Sequence, residues 1–447
     1  MNNLIDGKIS TTLLKFALPF LVASLLQALY GAADLFVVGQ FSDSAAVSAV
    51  AIGSQVMQTI TGIILGISMG GTVLIARCIG EKNDEGTAKA IGNLTVLFVI
   101  LAIVITPLIY IATDSSISLM HTPKEAIKYT KQYIMISVIG IPFIIGYNAV
   151  SGIFRGIGDS KTPVYFVLIA CIVNVIIDFV LVGSFNFGAM GAAIATITAQ
   201  GVSFIISLVY MIKKGFKFEI NKSHFKIHKE SMKSILIVGC PLALQDALVN
   251  ISFLIITAII NTMGLVASAA VGVVEKIIVF AMLPPTAFAS AVSAMTAQNI
   301  GAGKLERAKS ILKYGIIYSL SFGIIATVYC QIWPEKITSF FSNDADVIYV
   351  AGKYLMSFSI DCILVSFVFC MNGYFSGSGK SVISLIHSII ATFGFRIPLS
   401  YFISSINGIT LYEIGFAAPI STLVSVLICS GYFIWRNRKN NILEMVL

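Results

Sequence analysis

Residues 153–160 read IFRGIGDS, and residues 374–381 read YFSGSGKS. The two stretches lie 221 positions apart and share four residues: Phe154 with Phe375, Gly156 with Gly377, Gly158 with Gly379, and Ser160 with Ser381. The same offset pairs further residues outside these stretches: Ile79-Gly80 with Ile300-Gly301, Tyr133 with Tyr354, and Met135 with Met356. Offsets of 222 and 220 pair Pro19 with Pro241 and Ala88-Lys89 with Ala308-Lys309. The chain is therefore an internal duplication.

The composition indicates a membrane protein. Of the 447 residues, 57% are hydrophobic and 11% are charged, with a mean hydropathy of +0.93, whereas soluble domains are about 25% charged. Apolar stretches long enough to cross a hydrocarbon core of ~30 Å occur twelve times, near 13–38, 45–75, 91–112, 127–152, 162–183, 188–212, 233–260, 266–297, 311–332, 347–374, 381–404 and 411–435. The sequence predicts an all-α polytopic membrane protein with twelve transmembrane helices.

The duplication divides these helices into two lobes of six. We predict an N-lobe over 1–212, a basic cytoplasmic linker over 213–232, and a C-lobe with a short cytoplasmic tail over 233–447. Because each repeat has an even number of spans, the two copies share one topology and are expected to be related by an axis along the membrane normal.

The basic residues predict the orientation. With the N-terminus inside, 22 Lys and Arg fall on the inner side and 5 on the outer side, and Lys276 and Arg396 lie within spans. Since basic residues gather in cytoplasmic loops, both termini are expected in the cytoplasm of a multi-pass protein of the bacterial inner or plasma membrane. This bias also explains the net charge of +8 without a nucleic-acid partner.

Several motifs argue against an enzyme. Residues Gly377–Ser381 resemble the end of a phosphate-binding loop. However, Tyr374 occupies the position where the GxxxxGK[ST] pattern needs its first glycine. The pair His224 and His228 has a helical i, i+4 spacing without an acidic or cysteine partner spaced to complete a metal site. The seven cysteines include no CxxC pair. We therefore predict a transport protein without a cofactor, and the sequence alone leaves an ion channel open.

Charged residues within the spans are the candidates for function, because each costs about 2.5 kcal/mol or more at the centre of a bilayer. They are Asp34, Asp178, Asp246, Glu275, Lys276, Asp361 and Arg396. Asn174 stands one helical turn before Asp178, and Ala192 one turn before Thr196. Carboxylate, amide, hydroxyl and backbone oxygens could together bind Na⁺ or hold a proton. The alternative is a structural polar network that ties the helices together.

Several stretches resemble the multidrug and toxic compound extrusion (MATE) family, in its prokaryotic NorM and DinF types. They are the first span with Pro19, Gln27, Tyr30, Asp34, Val38, Gly39 and Gln40, the series Gly152–Asp159, and the stretch Gln298–Lys304. The resemblance covers almost the whole chain and implies a MATE-like fold in which two six-helix lobes surround a central site.

The resemblance also implies a site. Prokaryotic MATE transporters use an N-lobe cation site whose positions match Asp34, Asn174, Asp178, Thr196 and Ala192. The surrounding N-lobe cavity would add Gln27, Tyr30 and Asn148. Pro19 matches a position where some members bend the first helix, although its repeat mate Pro241 is equally consistent with a structural kink. No metal is implied beyond Na⁺ at this coupling-ion site.

The second lobe fits the family less well, because Asp246 and Asp361 reach its acidic positions on helices seven and ten only after a shift of about one turn. Asp246 and Asp361 are predicted to line the substrate cavity. Alternatively, Glu275 and Asp361 pair with Lys276 and Arg396.

The predicted function is therefore Na⁺- or H⁺-coupled antiport that exports amphipathic, cationic organic compounds by alternating access. The expected partners are these small molecules and the lipid bilayer, and the protein is expected to act as a monomer. A flippase for lipid-linked precursors is the alternative, although its cleft would need basic residues and the spans offer only Lys276 and Arg396.

Overall fold

The computed structural model describes residues 4–446 apart from His121, Lys217 and Asn407, and the side chains of 439–446 are not described. Nearly all of the described chain is helical. The α-helices are α1 (Ile9–Phe41), α2 (Ser44–Gly80), α3 (Asp84–Leu119), α4 (Ile127–Gly156), α5 (Thr162–Asp178), α6 (Gly188–Lys214), α7 (Lys229–Asn261), α8 (Leu265–Gly301), α9 (Leu305–Ile332), α10 (Pro334–Thr338), α11 (Ala345–Ser359), α12 (Asp361–Gly377), α13 (Ser381–Ala391), α14 (Ile397–Ser404), α15 (Leu411–Gly415) and α16 (Ala417–Val446).

The helices confirm the predicted all-α membrane fold. Eleven helical segments in the described chain are long and apolar enough to cross a membrane. The pair α11 and α12, bent by 43°, supplies a twelfth span where the sequence predicted one at 347–374. A membrane favours helices because they satisfy their own backbone hydrogen bonds in a solvent that offers none.

The residue contacts group the chain into two compact units. Unit 1 comprises Met1–Gly7, Leu14–Ala243 and Ala297–Lys304, and unit 2 comprises Lys8–Leu13, Leu244–Thr296 and Leu305–Leu447. Unit 1 has an apolar core that includes Ile64, Leu94 and Ile141, and the core of unit 2 includes Ile260 and Leu355. The predicted lobe boundaries at 212 and 233 stay a prediction.

Helix crossings in both units depend on glycine. In unit 1, α4 packs closely on α2 at Gly152, where an added Cβ would meet the Ser68 hydroxyl, and Thr72 Oγ1 donates to Gly152 O at 3.0 Å. In unit 2, a Cβ on Gly373 of α12 would meet the backbone of Ala289 in α8. Both pairs are related by the 221-residue offset, so the duplicated sequence builds the same crossing twice.

A second glycine crossing joins the ends of α2 and α8 within unit 1. A Cβ on Gly80 would meet the carbonyl oxygen of Gln298, and a Cβ on Gly301 would meet the carbonyl oxygen of Arg77. The offset of 221 relates Gly80 to Gly301 and Arg77 to Gln298. The contact is therefore reciprocal, and each repeat supplies both the glycine and the carbonyl.

Two spans contain a π-helical segment. Phe179–Ser184 follows α5 directly after Asp178, and Thr392–Arg396 joins α13 to α14. π-Helical turns are rare and occur frequently at functional sites. In this chain, the first segment begins directly after Asp178 and the second ends at Arg396.

Candidate functional site

The site in unit 1 is built around Asp34 in the second half of α1. Its side chain is buried, with the residue 4% exposed. Thr196 Oγ1 of α6 donates a hydrogen bond to Asp34 Oδ2 at 2.9 Å. This bond joins two helices that are 162 residues apart in the chain and fixes one carboxylate oxygen, while the other, Oδ1, has no hydrogen-bond partner in the described structure.

Asn174 and Asp178 bring α5 to the same place. Both residues are fully buried and lie beside Asp34. Their side-chain oxygens and the Asn174 amide nitrogen have no hydrogen-bond partner of good geometry among the described residues. The structure therefore brings Asp34, Asn174, Asp178 and Thr196 together, as the sequence predicted, although their assignment as an ion site stays a prediction.

The donor set fits a small hard cation or a shared proton. A buried polar atom without a partner costs roughly 1–3 kcal/mol, and this cluster holds five such atoms, on Asp34, Asn174 and Asp178. Carboxylate, amide and hydroxyl oxygens are typical ligands of hard cations. In the described chain, no three His, Cys, Asp or Glu side chains gather as they would around a metal ion. The two carboxylates with their neutral neighbours could hold Na⁺ or a proton.

The surroundings of the site are apolar and densely packed. Ala192, one turn before Thr196 on α6, is fully buried among residues that include Val38 and Val182. The small residues Ala189, Ala192 and Ala193 let α6 approach its neighbours closely. Such packing limits access of water, and this raises the electrostatic cost of leaving the carboxylates uncompensated.

Two further polar residues, Gln200 and Tyr133, lie next to the site and were not among the predicted site residues. Gln200 Nε2, one turn after Thr196, donates to the Tyr30 hydroxyl at 3.0 Å. Tyr133 of α4 is buried beside Thr196 and interacts electrostatically with Asp34 and Asp178. The i, i+4 spacing from Thr196 could have indicated Gln200 as a neighbour of the site. For Tyr133, the only indication in the sequence was its repeat correspondence with Tyr354.

The other predicted cavity residues are placed differently. Tyr30 adjoins Asp34 and Gln200, as expected for a cavity residue. Asn148 is buried, and its side-chain amide donates to Ile144 O at 2.8 Å in its own helix. Gln27 is exposed on α1. Of these three side chains, only Tyr30 adjoins the carboxylate in the described contacts.

The acidic residues of unit 2 occupy two environments. Asp246 is exposed near the middle of α7, where an ionised carboxylate is costly unless it faces a polar cavity or a partner. Asp361 is buried at the start of α12 and interacts with Thr422 and Arg396. Glu275 of α8 accepts a hydrogen bond from Thr257 Oγ1 at 3.2 Å and interacts electrostatically with Arg396.

A duplicated chain with eleven apolar helical segments and a bent pair that can form a twelfth span has an architecture typical of membrane transporters. The chain belongs to the MatE family, whose sequence model matches residues 19–180 and 241–402, one match in each repeat. The family consists of transporters, so the chain is not an enzyme.

Relatives of similar length support this assignment. The chain is 26% identical over 433 residues to the "Probable multidrug resistance protein YoeA" of Bacillus subtilis, a match that covers 95% of this chain and 94% of the relative. It is also 26% identical to the "Probable multidrug resistance protein NorM" of Thermotoga maritima, covering 88% and 85%.

Solved structures share the fold. A MOP superfamily transporter from Pyrococcus furiosus superposes with a TM-score of 0.92 at 22% identity, covering 99% of this chain and 98% of the other. A MATE family transporter described in an outward-facing conformation gives a TM-score of 0.90 at 22% identity with the same coverage. These likenesses confirm the predicted MATE-like fold.

Proposed function

We propose that this protein is a multidrug efflux transporter that couples the entry of Na⁺ or H⁺ to the export of amphipathic, cationic organic compounds. The proposal rests on the buried cluster of Asp34, Asn174 and Asp178. Five polar atoms of this cluster have no hydrogen-bond partner, and a bound cation or proton would supply one. The multidrug names of relatives that match almost the full chain support the substrate class.

Coupling follows from the charge of this cluster. Two adjacent ionised carboxylates in an apolar interior repel each other, and binding a cation or proton removes part of that cost. The Thr196 hydrogen bond holds Asp34 in place while the ion exchanges. For transport, ion and drug must have different affinities for the inward-open and outward-open states, because a ligand with equal affinity shifts neither.

Substrate contact is proposed for the exposed carboxylate of Asp246 and for Asp361, Tyr30, Gln27 and Asn148. A carboxylate favours positively charged compounds, whereas apolar and Met side chains tolerate varied shapes. A flippase for lipid-linked precursors is the competing function. The acidic cluster disfavours a flippase, because Asp34 and Asp178 would repel a pyrophosphate group.

The deciding experiment is efflux of a fluorescent cationic drug from proteoliposomes under separately imposed Na⁺ and proton gradients. The expected result is efflux driven by one of the two gradients, with reciprocal ion movement when a drug gradient is imposed. Drug efflux that ignores both gradients would reject coupling. Translocation of a lipid-linked pyrophosphate without drug transport would favour the flippase.

The variants Asp34→Asn and Asp178→Asn test the site itself. Each keeps the shape of the side chain but removes the charge that attracts a cation, so the protein should insert and fold while losing gradient-driven efflux. Asp114→Asn is the matched control, because Asp114 is an exposed carboxylate paired with Lys131, and surface ion pairs contribute little. Wild-type coupling in both site variants would reject the assigned role.

We further propose that both termini face the cytoplasm of a bacterial inner or plasma membrane and that the protein acts as a monomer. The bias of Lys and Arg toward one side supports the orientation. Protease digestion of terminal tags in intact cells and in inverted vesicles tests it, since both tags should be cleaved only in the inverted vesicles. The mass of the purified protein in nanodiscs tests the monomer.

A further inference from the structure

A second charged cluster lies in unit 2, where Asp361 is buried and Glu275 and Arg396 are half-buried. Glu275 and Asp361 are its two carboxylates, and both interact electrostatically with the guanidinium of Arg396. Hydroxyl groups adjoin both acids, from Thr257 at Glu275 and from Thr422 at Asp361. The cluster joins residues from α7, α8, α12, α16 and the π-helical segment Thr392–Arg396.

The repeat alignment places this cluster in correspondence with the first-repeat site. The two family matches begin 222 residues apart and end 222 residues apart, and at that offset Asn174 falls on Arg396. Tyr133 and Tyr354, repeat mates at an offset of 221, adjoin the acids of their own clusters. The repeat therefore relates one residue and one adjoining tyrosine of the first cluster to those of the second.

The chemistry of the two clusters differs. At the offset of 222, Asp34 and Asp178 correspond to Ile256 and Ser400, so neither carboxylate position of the first repeat is acidic in the second. The second-repeat carboxylates come instead from α8 and α12. A neutral amide at Asn174 is replaced by the cationic guanidinium of Arg396.

Aromatic side chains hold the guanidinium in place. The Arg396 Cζ atom lies 4.4 Å from the ring centroid of Phe253 and 5.9 Å from that of Phe358, within the range of cation–π attraction. None of the ion pairs in the described chain joins Arg396 to Glu275 or Asp361. The guanidinium therefore interacts with both carboxylates without forming a direct ion pair with either one.

We propose that Arg396 is a tethered cation that takes the place of an exchangeable ion in the second repeat, so that only the first repeat loads and releases Na⁺. Two carboxylates and one guanidinium carry the same net charge as Asp34 and Asp178 with one bound monovalent cation. The second repeat thus has permanently the charge that the first has only when loaded. This inference rests on the proposed coupling by Asp34 and Asp178.

Ion counting tests the inference without transport. Equilibrium binding of radioactive Na⁺ to the purified full-length protein is expected to give one site per chain in the wild type. The Asp34→Asn, Asp178→Asn double variant should bind none. Residual Na⁺ binding by this double variant would overturn the proposal, because it would place a second exchangeable ion outside the first repeat.

Removing the tethered charge should create a new site. In the Asp34→Asn, Asp178→Asn background, Arg396→Gln exposes Glu275 and Asp361 to free cations, and one Na⁺ per chain is expected to bind. Adding Glu275→Gln and Asp361→Asn should abolish that binding, and Arg396→Lys should give none because the charge is kept. Absence of Na⁺ binding in the folded Arg396→Gln variant would reject the proposal.

A failure of the proposed function is distinguishable from a failure of this inference. If the wild type binds no Na⁺ but the Arg396→Gln variant binds one, Na⁺ binding by the first repeat fails, the proton remains its only candidate ion, and the tethered cation stands. If the wild type binds one Na⁺ that Asp34→Asn abolishes, while Arg396→Gln adds none, the first-repeat assignment stands and the tethered cation fails. Should Arg396→Gln not fold, residual Na⁺ binding by the double variant would still overturn the proposal.

Discussion

The two charged clusters show how one duplicated scaffold can carry two different arrangements of charge. In the first repeat, Asp34 and Asp178 stand beside the neutral amide of Asn174, and their free oxygens lack partners. In the second repeat, Glu275 and Asp361 stand beside Arg396. The helical framework is shared, so the difference lies in charge. At offset 222, Asn174 corresponds to Arg396, and both acidic positions of the first repeat are also replaced in the second. On our proposal, the first cluster needs an ion and the second carries its own charge.

The largest expected difference concerns the carboxylates. Asp178→Asn should lower gradient-driven efflux by about 100-fold, because removing the differential affinity for the ion removes coupling. Glu275→Gln should keep the dependence on the imposed ion gradient, whatever its effect on the rate, since Arg396 still compensates Asp361. Efflux from proteoliposomes at matched protein density measures both. Equal loss of ion dependence in the two variants would erase the proposed distinction between the repeats.

The next effect concerns Arg396 and stability. Arg396→Gln removes the positive charge beside two carboxylates and should reduce the free energy of unfolding by about 2 kcal/mol, within the range for losing a charged partner. Arg396→Lys should lose less, because the charge remains. Adding Glu275→Gln to Arg396→Gln should restore part of the melting temperature, measured by tryptophan fluorescence in detergent. The paired mutation Asn174→Ala serves as the first-repeat control and should show no rescue by Glu275→Gln.

A smaller difference is expected between substitutions of Tyr133 and Tyr354, the two tyrosines related by the repeat. Tyr133 adjoins Thr196 and Asp34, so Tyr133→Phe removes a polar group worth about 1 kcal/mol and should weaken apparent Na⁺ or H⁺ affinity by about 5-fold. Tyr354→Phe removes the corresponding hydroxyl beside a cluster that exchanges no ion and should leave this affinity unchanged. The ion dependence of initial efflux rates measures the contrast. A weaker ion affinity in Tyr354→Phe alone would reverse the assignment of the repeats.

The smallest effect concerns the loops that carry the repeat motif. Asp159 accepts hydrogen bonds from the backbone N–H and the hydroxyl of Thr162 and pairs with Lys214 at 3.1 Å. Partial burial acts to raise the pKa of Asp159, but these contacts outweigh it and hold the pKa below its ordinary value. The repeat mate is Lys380, which cannot accept such bonds.

Because the folded pKa of Asp159 is depressed, its stabilisation is fully present above the ordinary Asp value near ~3.9 and is lost as pH falls through the lower folded value. Asp159→Asn should therefore cost about 0.5 kcal/mol at pH 7, and this difference from the wild type should shrink toward pH 3. Lys380→Gln should show no such pH-dependent difference. Melting temperatures of the three proteins at both pH values provide the comparison.

The sequence predicted much of the fold because periodic apolar stretches and the 221-residue offset are visible without a structure. The gathering of Asp34, Asn174, Asp178 and Thr196 was also predictable, from i, i+4 spacing and family resemblance. Tyr133 was found in the alignment only as a repeat mate. Its contact with the site depends on how α4 is rotated about its axis, which single-sequence periodicity does not determine in a helix apolar on most sides.

The environment of Arg396 could not be predicted from the sequence, for a related reason. Pairing of Glu275 and Asp361 with Lys276 or Arg396 was one of two open interpretations. The structure shows Arg396 interacting with both acids, while Lys276 is exposed. The π-helical segment ending at Arg396 changes the helical phase, and the 43° bend before Asp361 redirects α12. Neither irregularity has a residue pattern that reveals it in advance.

The glycine crossing of α2 and α8 bears on ancestry. Gly80 meets the carbonyl of Gln298 and Gly301 meets the carbonyl of Arg77, so position i of one copy touches position j of the other, and j touches i. This reciprocity is the form of contact made by a homodimer with two-fold symmetry. A single ancestral half-length gene, encoding one glycine and one carbonyl position, would already have specified both contacts before two copies were fused into one chain.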